Sequence, residues 1–343
     1  NYVKKHTPKT EWRVAIAYDS RNRSREFAEA TAQVFLGNGF EVYLFKDLRP
    51  TPELSFAIRN YNCTTGIVIT ASHNPPEYNG YKVYWKDGGQ VVSPQDSGII
   101  EEVRLVKGPA DIHSSANLDG CNMIGEETDA LFMEHSKKQL LRKEMEKSIK
   151  LIYTNLHGTG GQLIPKALRD LGYTVTEVEE QILPNGDFPT VESPNPEEAS
   201  AMKMAMDLAI EKNADVIIGT DPDADRVGIG IRTKSGGIQL LNGNQTGSML
   251  VHYVLTTLKE KGKLPDNGFV AKTIVTSDLI REIAEGFGVP CPETLTGFKY
   301  IAAVIRELQQ MQFLVGGEES YGYMVNDFVR DKDAVTAAMV IAE

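Results

Sequence analysis

The sequence predicts an α/β protein of three consecutive domains of similar topology, with mixed sheets around a central cleft. One order of elements recurs three times: strand, loop, helix, glycine stop, then helix, strand and polar loop. In each pass a loop rich in charged or hydroxyl residues directly follows an apolar strand, the place where open α/β sheets bind ligands. Spacings differ between passes, so the repeat is architectural. The expected domains are 1–148, 149–240 and 241–343.

In the first pass, Trp12 to Tyr18 reads as a strand ending at Asp19, followed by a polar loop holding Arg21 and Arg23. A helix from Arg25 to Leu36 is stopped by Gly37 and Gly39, and Phe40 to Phe45 is a strand. After Pro50-Thr51-Pro52 comes a helix, Glu53 to Tyr61, then a short buried strand, Ile67 to Ile69, breaking into Thr70-Ala71-Ser72-His73-Asn74-Pro75-Pro76. The prolines fix their own φ and bias Asn74 and Pro75 away from helix, and Asn79-Gly80 is a turn signal. Ser72 therefore sits on a stiff loop, a good mount for a reactive hydroxyl, although an isolated S-H-N-P is more often an ordinary turn. Residues 87 to 127 show no clear pattern, and Asp129 to Lys147 reads as a charged helix linking domains.

The second pass has a strand at Leu151 to Thr154, a small-residue loop, a helix at Leu163 to Leu171 stopped by Gly172, and a strand at Tyr173 to Val178. A helix from Pro196 to Lys212 precedes the strand Asp215 to Ile218, which runs into Gly219-Thr220-Asp221-Pro222-Asp223-Ala224-Asp225-Arg226. The third has a strand at Phe269 to Val275, a helix at Leu279 to Phe287, Gly288, a helix at Tyr300 to Gln310, and a strand at Phe313 to Val315 entering Gly316-Gly317-Glu318-Glu319-Ser320-Tyr321-Gly322. Its second strand is not evident.

The 343 residues are 41% hydrophobic and 24% charged, enough to bury sizeable cores. No apolar run approaches a membrane span, and Asn1 to Arg13 is polar and basic, unlike a signal peptide, so a cytoplasmic protein without membrane contact is expected. Cys63, Cys121 and Cys291 are odd in number and far apart, which suggests buried thiols. A net charge of -11 argues against nucleic acid as partner and confines any anion site to a local basic pocket. The chain opens without Met and closes inside an apparent helix, as a fragment would.

Three carboxylates alternate at Asp221, Asp223 and Asp225. At ~4 Å and an effective dielectric near 20, each like-charge pair costs roughly 4 kcal/mol, so a converged trio calls for a cation, with Mg²⁺ as the hard, oxygen-seeking choice. An EF-hand is excluded, because Arg226 and Arg232 occupy the positions that loop gives to Gly and Glu. Arg21, Arg23, His73, Lys82, Arg226, Lys272 and Lys299 stand at strand ends or beside these loops and suggest a phosphate-binding cleft; Glu318 and Ser320 add groups suited to sugar hydroxyls. A phosphorylated Ser72 beside three aspartates needs a metal between them, so the parts support one another. An aspartyl phosphatase is a rival, since a strand followed by D-x-D resembles the haloacid dehalogenase motif, but that motif wants Thr where Asp225 stands. A non-catalytic sugar-phosphate-binding protein is another.

TASHNPPEYNGYK (Thr70 to Lys82), TDPDADR (Thr220 to Arg226), LTGFK (Leu295 to Lys299) and GEESYG (Gly317 to Gly322) together closely resemble the α-D-phosphohexomutase superfamily, and within it the bacterial phosphoglucomutase/phosphomannomutase proteins. The resemblance implies phosphoryl transfer on hexose phosphates through a phosphoserine, Ser72, and a bisphosphorylated sugar such as glucose 1,6-bisphosphate. It makes Asp221, Asp223 and Asp225, with the Ser72 phosphate, the Mg²⁺ ligands and Arg226 the support of that phosphate. Lys82 becomes the general acid/base with His73 assisting, Glu318 and Ser320 the sugar readers, and Lys272 and Lys299 cleft residues. Glucose, mannose and pentose phosphates stay open, as does a metal-dependent sugar phosphatase. The family's early G-T-x-G-x-R-G-like loop and its fourth, phosphate-clamping domain are not in the sequence, so this chain is expected to fold as three domains with poor turnover.

Overall fold

The computed structural model describes residues 1–343. Three sheets follow one another along the chain. The first holds β1 (Arg13–Tyr18), β2 (Glu41–Phe45), β3 (Thr65–Ile69), β4 (Tyr81–Trp85) and β5 (Asn122–Ile124), in the order β4-β3-β1-β2-β5. The second holds β6 (Lys150–Thr154), β7 (Thr174–Glu177), β8 (Val216–Thr220), β9 (Val227–Arg232) and β10 (Ile238–Leu241), in the order β10-β9-β8-β6-β7. The third holds β11 (Gly268–Thr273), β12 (Glu293–Thr294), β13 (Gln312–Gly317) and β14 (Tyr323–Val325), in the order β12-β11-β13-β14.

The repeat is one of topology. In each sheet the first strand lies between the two that follow it and pairs in parallel with both, as β1 does with β2 and β3, β6 with β7 and β8, and β11 with β12 and β13. The third strand then turns back antiparallel: β3 into β4, β8 into β9, β13 into β14. The loops carrying Ser72, the aspartates and Glu318 are therefore the same hairpin connection in three sheets. Flanked on both sides, the central strands are almost wholly buried and read as continuous apolar runs.

Several boundaries differ from the sequence-based expectation. The helix expected over 129 to 147 is Glu126–Lys138, and beyond it the chain leaves the helix while Leu140 is still buried in the core. The helix expected from Pro196 begins at Lys203; Asn195 instead turns the chain, its side chain accepting from Glu197 N. β11 stops at Thr273, leaving Ile274 and Val275 exposed. Of the three thiols only Cys63 is buried, the other two being half-buried. The long helix Gly243–Glu260 had no counterpart in the expected elements, yet Asn242 and Gln245 form a reciprocal capping box at its start.

Candidate active site

The three hairpin loops meet. Ser72 Oγ, from the first sheet, donates to Asp221 Oδ2 of the second at 2.7 Å. Lys82, on β4, points the same way, its Nζ 2.9 Å from Asp223 Oδ2 and 3.6 Å from Asp225 Oδ2. From the third domain, Lys332 Nζ reaches Asp225 Oδ2 at 3.1 Å. Each loop holds a non-glycine residue at positive φ: Ser72 at 53°, Ala224 at 49° and Tyr321 at 65°. That left-handed conformation is strained for residues with a Cβ and survives only where the surroundings enforce it.

For Ser72, the enforcing group is Arg21. Its guanidinium donates to the carbonyls of Ser72, Asn74, Pro75 and Tyr78, and its Nε lies 3.4 Å from Asp19 Oδ2. Thr70 Oγ1 accepts from Ser72 N at 2.8 Å. The metal-loop turn is organised by Asp221, whose Oδ1 accepts from the backbone of Asp225 and Arg226. Neighbouring domains hold it too: Thr51 N and Oγ1 donate to Asp223 O and Oδ2, Ala334 N donates to Ala224 O, and Val227 N donates to Tyr321 O.

The aspartates are buried, with ligand atoms within 4.8 Å of one another. Asp223 Oδ1 and Asp225 Oδ1 have no hydrogen-bond partner, although each residue's Oδ2 is engaged by a lysine. Two orphaned buried carboxylate oxygens beside a third carboxylate fit a hard divalent cation. Burial and the neighbouring Asp223 push Asp221 well above the usual carboxylate range. Against the same burial, Lys82 holds Asp223 below it. Asp223 and Asp225 in turn keep Lys82 protonated despite its desolvation. His73 behaves oppositely: burial and the nearby Arg226 bring it down to about 4, leaving a neutral ring with Nδ1 3.2 Å from Ser72 Oγ.

Known proteins share this organisation. The phosphoglucomutase/phosphomannomutase alpha/beta/alpha domains I, II and III match residues 1–107, 130–236 and 242–343, in order. The chain belongs to the phosphoglucomutase/phosphomannomutase family. A phosphoglucomutase of Staphylococcus epidermidis is 39% identical over 94% of this chain and 59% of its own length. One from Staphylococcus aureus is 38% identical over 96% of this chain and 59% of its own. The chain thus spans about three fifths of the length of these relatives. A phosphoglucomutase/phosphomannomutase family protein from Burkholderia thailandensis shares the fold, with a TM-score of 0.77 at 19% identity, covering 96% of this chain and 68% of the other.

Not every residue expected in the cleft of this family member has a free side chain. Arg21, expected at the substrate, donates from Nη1 and Nη2 to four backbone carbonyls of the Ser72 loop, and its Nε, without a hydrogen-bond partner, is buried against Asp19. Lys272, also expected in the cleft, has its buried Nζ engaged inside the third domain by Thr273 O, Thr276 O, Glu293 and Asp278. Arg23 is exposed at the start of the helix Ser24–Gly37, and Lys299 lies over the Tyr300 ring. Glu318 is buried, accepts from Gly297 N at 2.9 Å and is raised above its ordinary range by that burial; Ser320 is half-buried beside it. Arg226 pairs with Glu197 at 2.7 Å while its Nε stays unpartnered.

Sequence reasoning missed Lys332, Asp331 and Thr51. Asp331 Oδ2 accepts from Tyr84 OH at 2.6 Å and Gln90 Nε2 at 2.9 Å, both in the first domain, while its Oδ1 faces Lys332 Nζ at 3.3 Å. The available signal was Arg330-Asp331-Lys332-Asp333, four alternating charges immediately before an apolar helix, more charge than the one cap that helix needs.

Proposed function

We propose that this chain carries the phosphoserine, metal and sugar-reading parts of an enzyme that moves a phosphoryl group between hydroxyls of a hexose phosphate. The observation that carries this is the 2.7 Å contact between Ser72 Oγ of one domain and Asp221 of another, inside a carboxylate trio with orphaned oxygens. Asp221, Asp223 and Asp225 would hold Mg²⁺, which when bound neutralises charge on the Ser72 phosphate. In the transfer, the Ser72 Oγ to phosphorus bond breaks and a bond from a sugar hydroxyl oxygen to phosphorus forms. The hydroxyl proton leaves and Oγ gains one. Lys82, on the family resemblance, carries this proton as general acid/base with His73 assisting. Arg226, with an unused Nε, steadies the phosphate; Glu318 and Ser320 face sugar hydroxyls, with Lys299 at the cleft wall. The reverse transfer, from glucose 1,6-bisphosphate or its mannose counterpart, regenerates the phosphoserine.

The test is incubation with glucose 1,6-bisphosphate and Mg²⁺, followed by mass-spectrometric site mapping. Acid-stable phosphate on Ser72, lost in Ser72→Ala, is expected. Label appearing as an acyl phosphate on Asp221 would replace this proposal with an aspartyl phosphatase.

A further inference from the structure

We propose that the first domain carries a second, phosphate-binding site at the end of its sheet opposite Ser72. This goes beyond the mutase function and does not depend on it. A cavity of about 370 Å³ opens where β1 begins, lined by Glu11, Arg13, Arg59, Asn62, Thr64 and Lys86. Ser72 follows the carboxyl end of β3, parallel to β1, so the two sites lie at opposite strand ends. Three cations face this cavity in a chain of net charge -11. Arg13 is paired with Glu41 at 2.9 Å. Lys86 has no carboxylate partner, and the one hydrogen bond of Arg59 is to a neutral carbonyl, Asp327 O.

That carbonyl is shared. Arg330 donates to it as well, and Arg330 Nε is buried without a partner. Arg330 also takes the Asp327 carboxylate at 3.1 Å, so Arg59, partly desolvated and pressed by Arg330, has only that carbonyl as a hydrogen-bond partner. A phosphate dianion supplies negative charge: its oxygens match the fork of Arg59, accept from Arg13 and Lys86, and can take the Asn62 amide. Asp327 also opens the segment whose Asp331 and Lys332 reach Tyr84 and Asp225, so an anion drawing on Arg59 is felt on the domain III side of the cleft.

Calorimetric titration of the full chain with inorganic phosphate, and in a parallel arm with glycerol 3-phosphate, tests this at constant ionic strength. It is run on wild type, Lys86→Gln and Arg13→Gln. About tenfold weaker binding in Lys86→Gln, unchanged Mg²⁺ binding, and phosphate-induced protection from hydrogen exchange over 58–64 and 327–332 are expected. Tighter binding of the ester assigns the site to phosphate monoesters, and the reverse order to free phosphate. Wild-type affinity in both variants, absence of binding, or protection confined to 70–82 overturns the proposal.

Discussion

Replacing Arg21 separates its two possible uses, substrate binding and support of the serine loop. Its guanidinium holds four backbone carbonyls over residues 72 to 78 and stands against buried Asp19. Removing one partner from a buried ionic arrangement typically costs about 3 to 5 kcal/mol, the expected loss for Arg21→Ala. Arg21→Lys keeps the charge but offers three donors from a single point in place of a planar fork, so at least one carbonyl is orphaned, at about 2 kcal/mol. Urea unfolding by linear extrapolation gives both numbers, and hydrogen exchange over 70–80 should accelerate in each variant. Phosphorylation of Ser72 should fall with loop order even where the fold survives. An Arg21→Lys protein with the wild-type midpoint and unchanged exchange would refute the support role.

Other perturbations reach different parts of the site. A Cβ on Gly158 would lie 2.3 Å from Pro222 Cα, which is backbone and cannot swing aside, so Gly158→Ala should displace the aspartate loop and abolish stabilisation by Mg²⁺ in a thermal melt. Thr51→Val keeps shape but frees Asp223 Oδ2 from one of its two donors; about tenfold weaker Mg²⁺ binding by calorimetry is expected, and unchanged affinity would remove Thr51 from metal positioning. Burial raises Asp333, the cap of the helix Ala334–Ala342, from 3.8 to about 6. A raised carboxyl favours the fold when protonated, so this contribution is complete below about pH 4 and is lost as pH rises to about 6, on the order of 3 kcal/mol. Asp333→Asn keeps the acceptor for Thr336 N without titrating, and its stability should lack that decline relative to wild type.

The three-domain repeat and the loop residues Ser72, Asp221, Asp223 and Asp225 were legible because each follows a continuous apolar run, the sequence mark of a buried parallel strand. The returning strands were harder. β4 and β9 sit directly after motif residues and were not among the expected strands, and Lys82 projects from β4. Arg21 and Lys272 could not be assigned from type and position, since a cation engaged by its own fold and one open to a ligand have the same sequence signature; only the carbonyls turned toward Arg21 and the partners around Lys272 Nζ distinguish them. Lys332 contacts Asp225 across 107 residues, and no local pattern encodes a contact at that range.

One apolar core of 42 buried residues runs through the second and third domains, and the helix Ala334–Ala342 is part of it. Phe56 of the helix Thr51–Asn60 and Phe132 of the helix Glu126–Lys138 join that core; most of the first sheet and its other helices pack into two clusters of 11 and 10 residues. Mechanically, the molecule is then two blocks, and the boundary passes between Ser72 and Asp221. Polar contacts bridge them, among them Ser72 to Asp221, Thr51 and Lys82 to Asp223, Tyr84 and Gln90 to Asp331, Ser193 to His73 and Arg306 to Asp87, and Phe56 packs against Phe328. Such polar contacts re-form with water at little net cost, whereas a shared apolar core does not part. Parting the two blocks would therefore cost less than splitting the shared core. Any such opening would separate the serine from the carboxylates, so the reactive arrangement needs the two blocks closed.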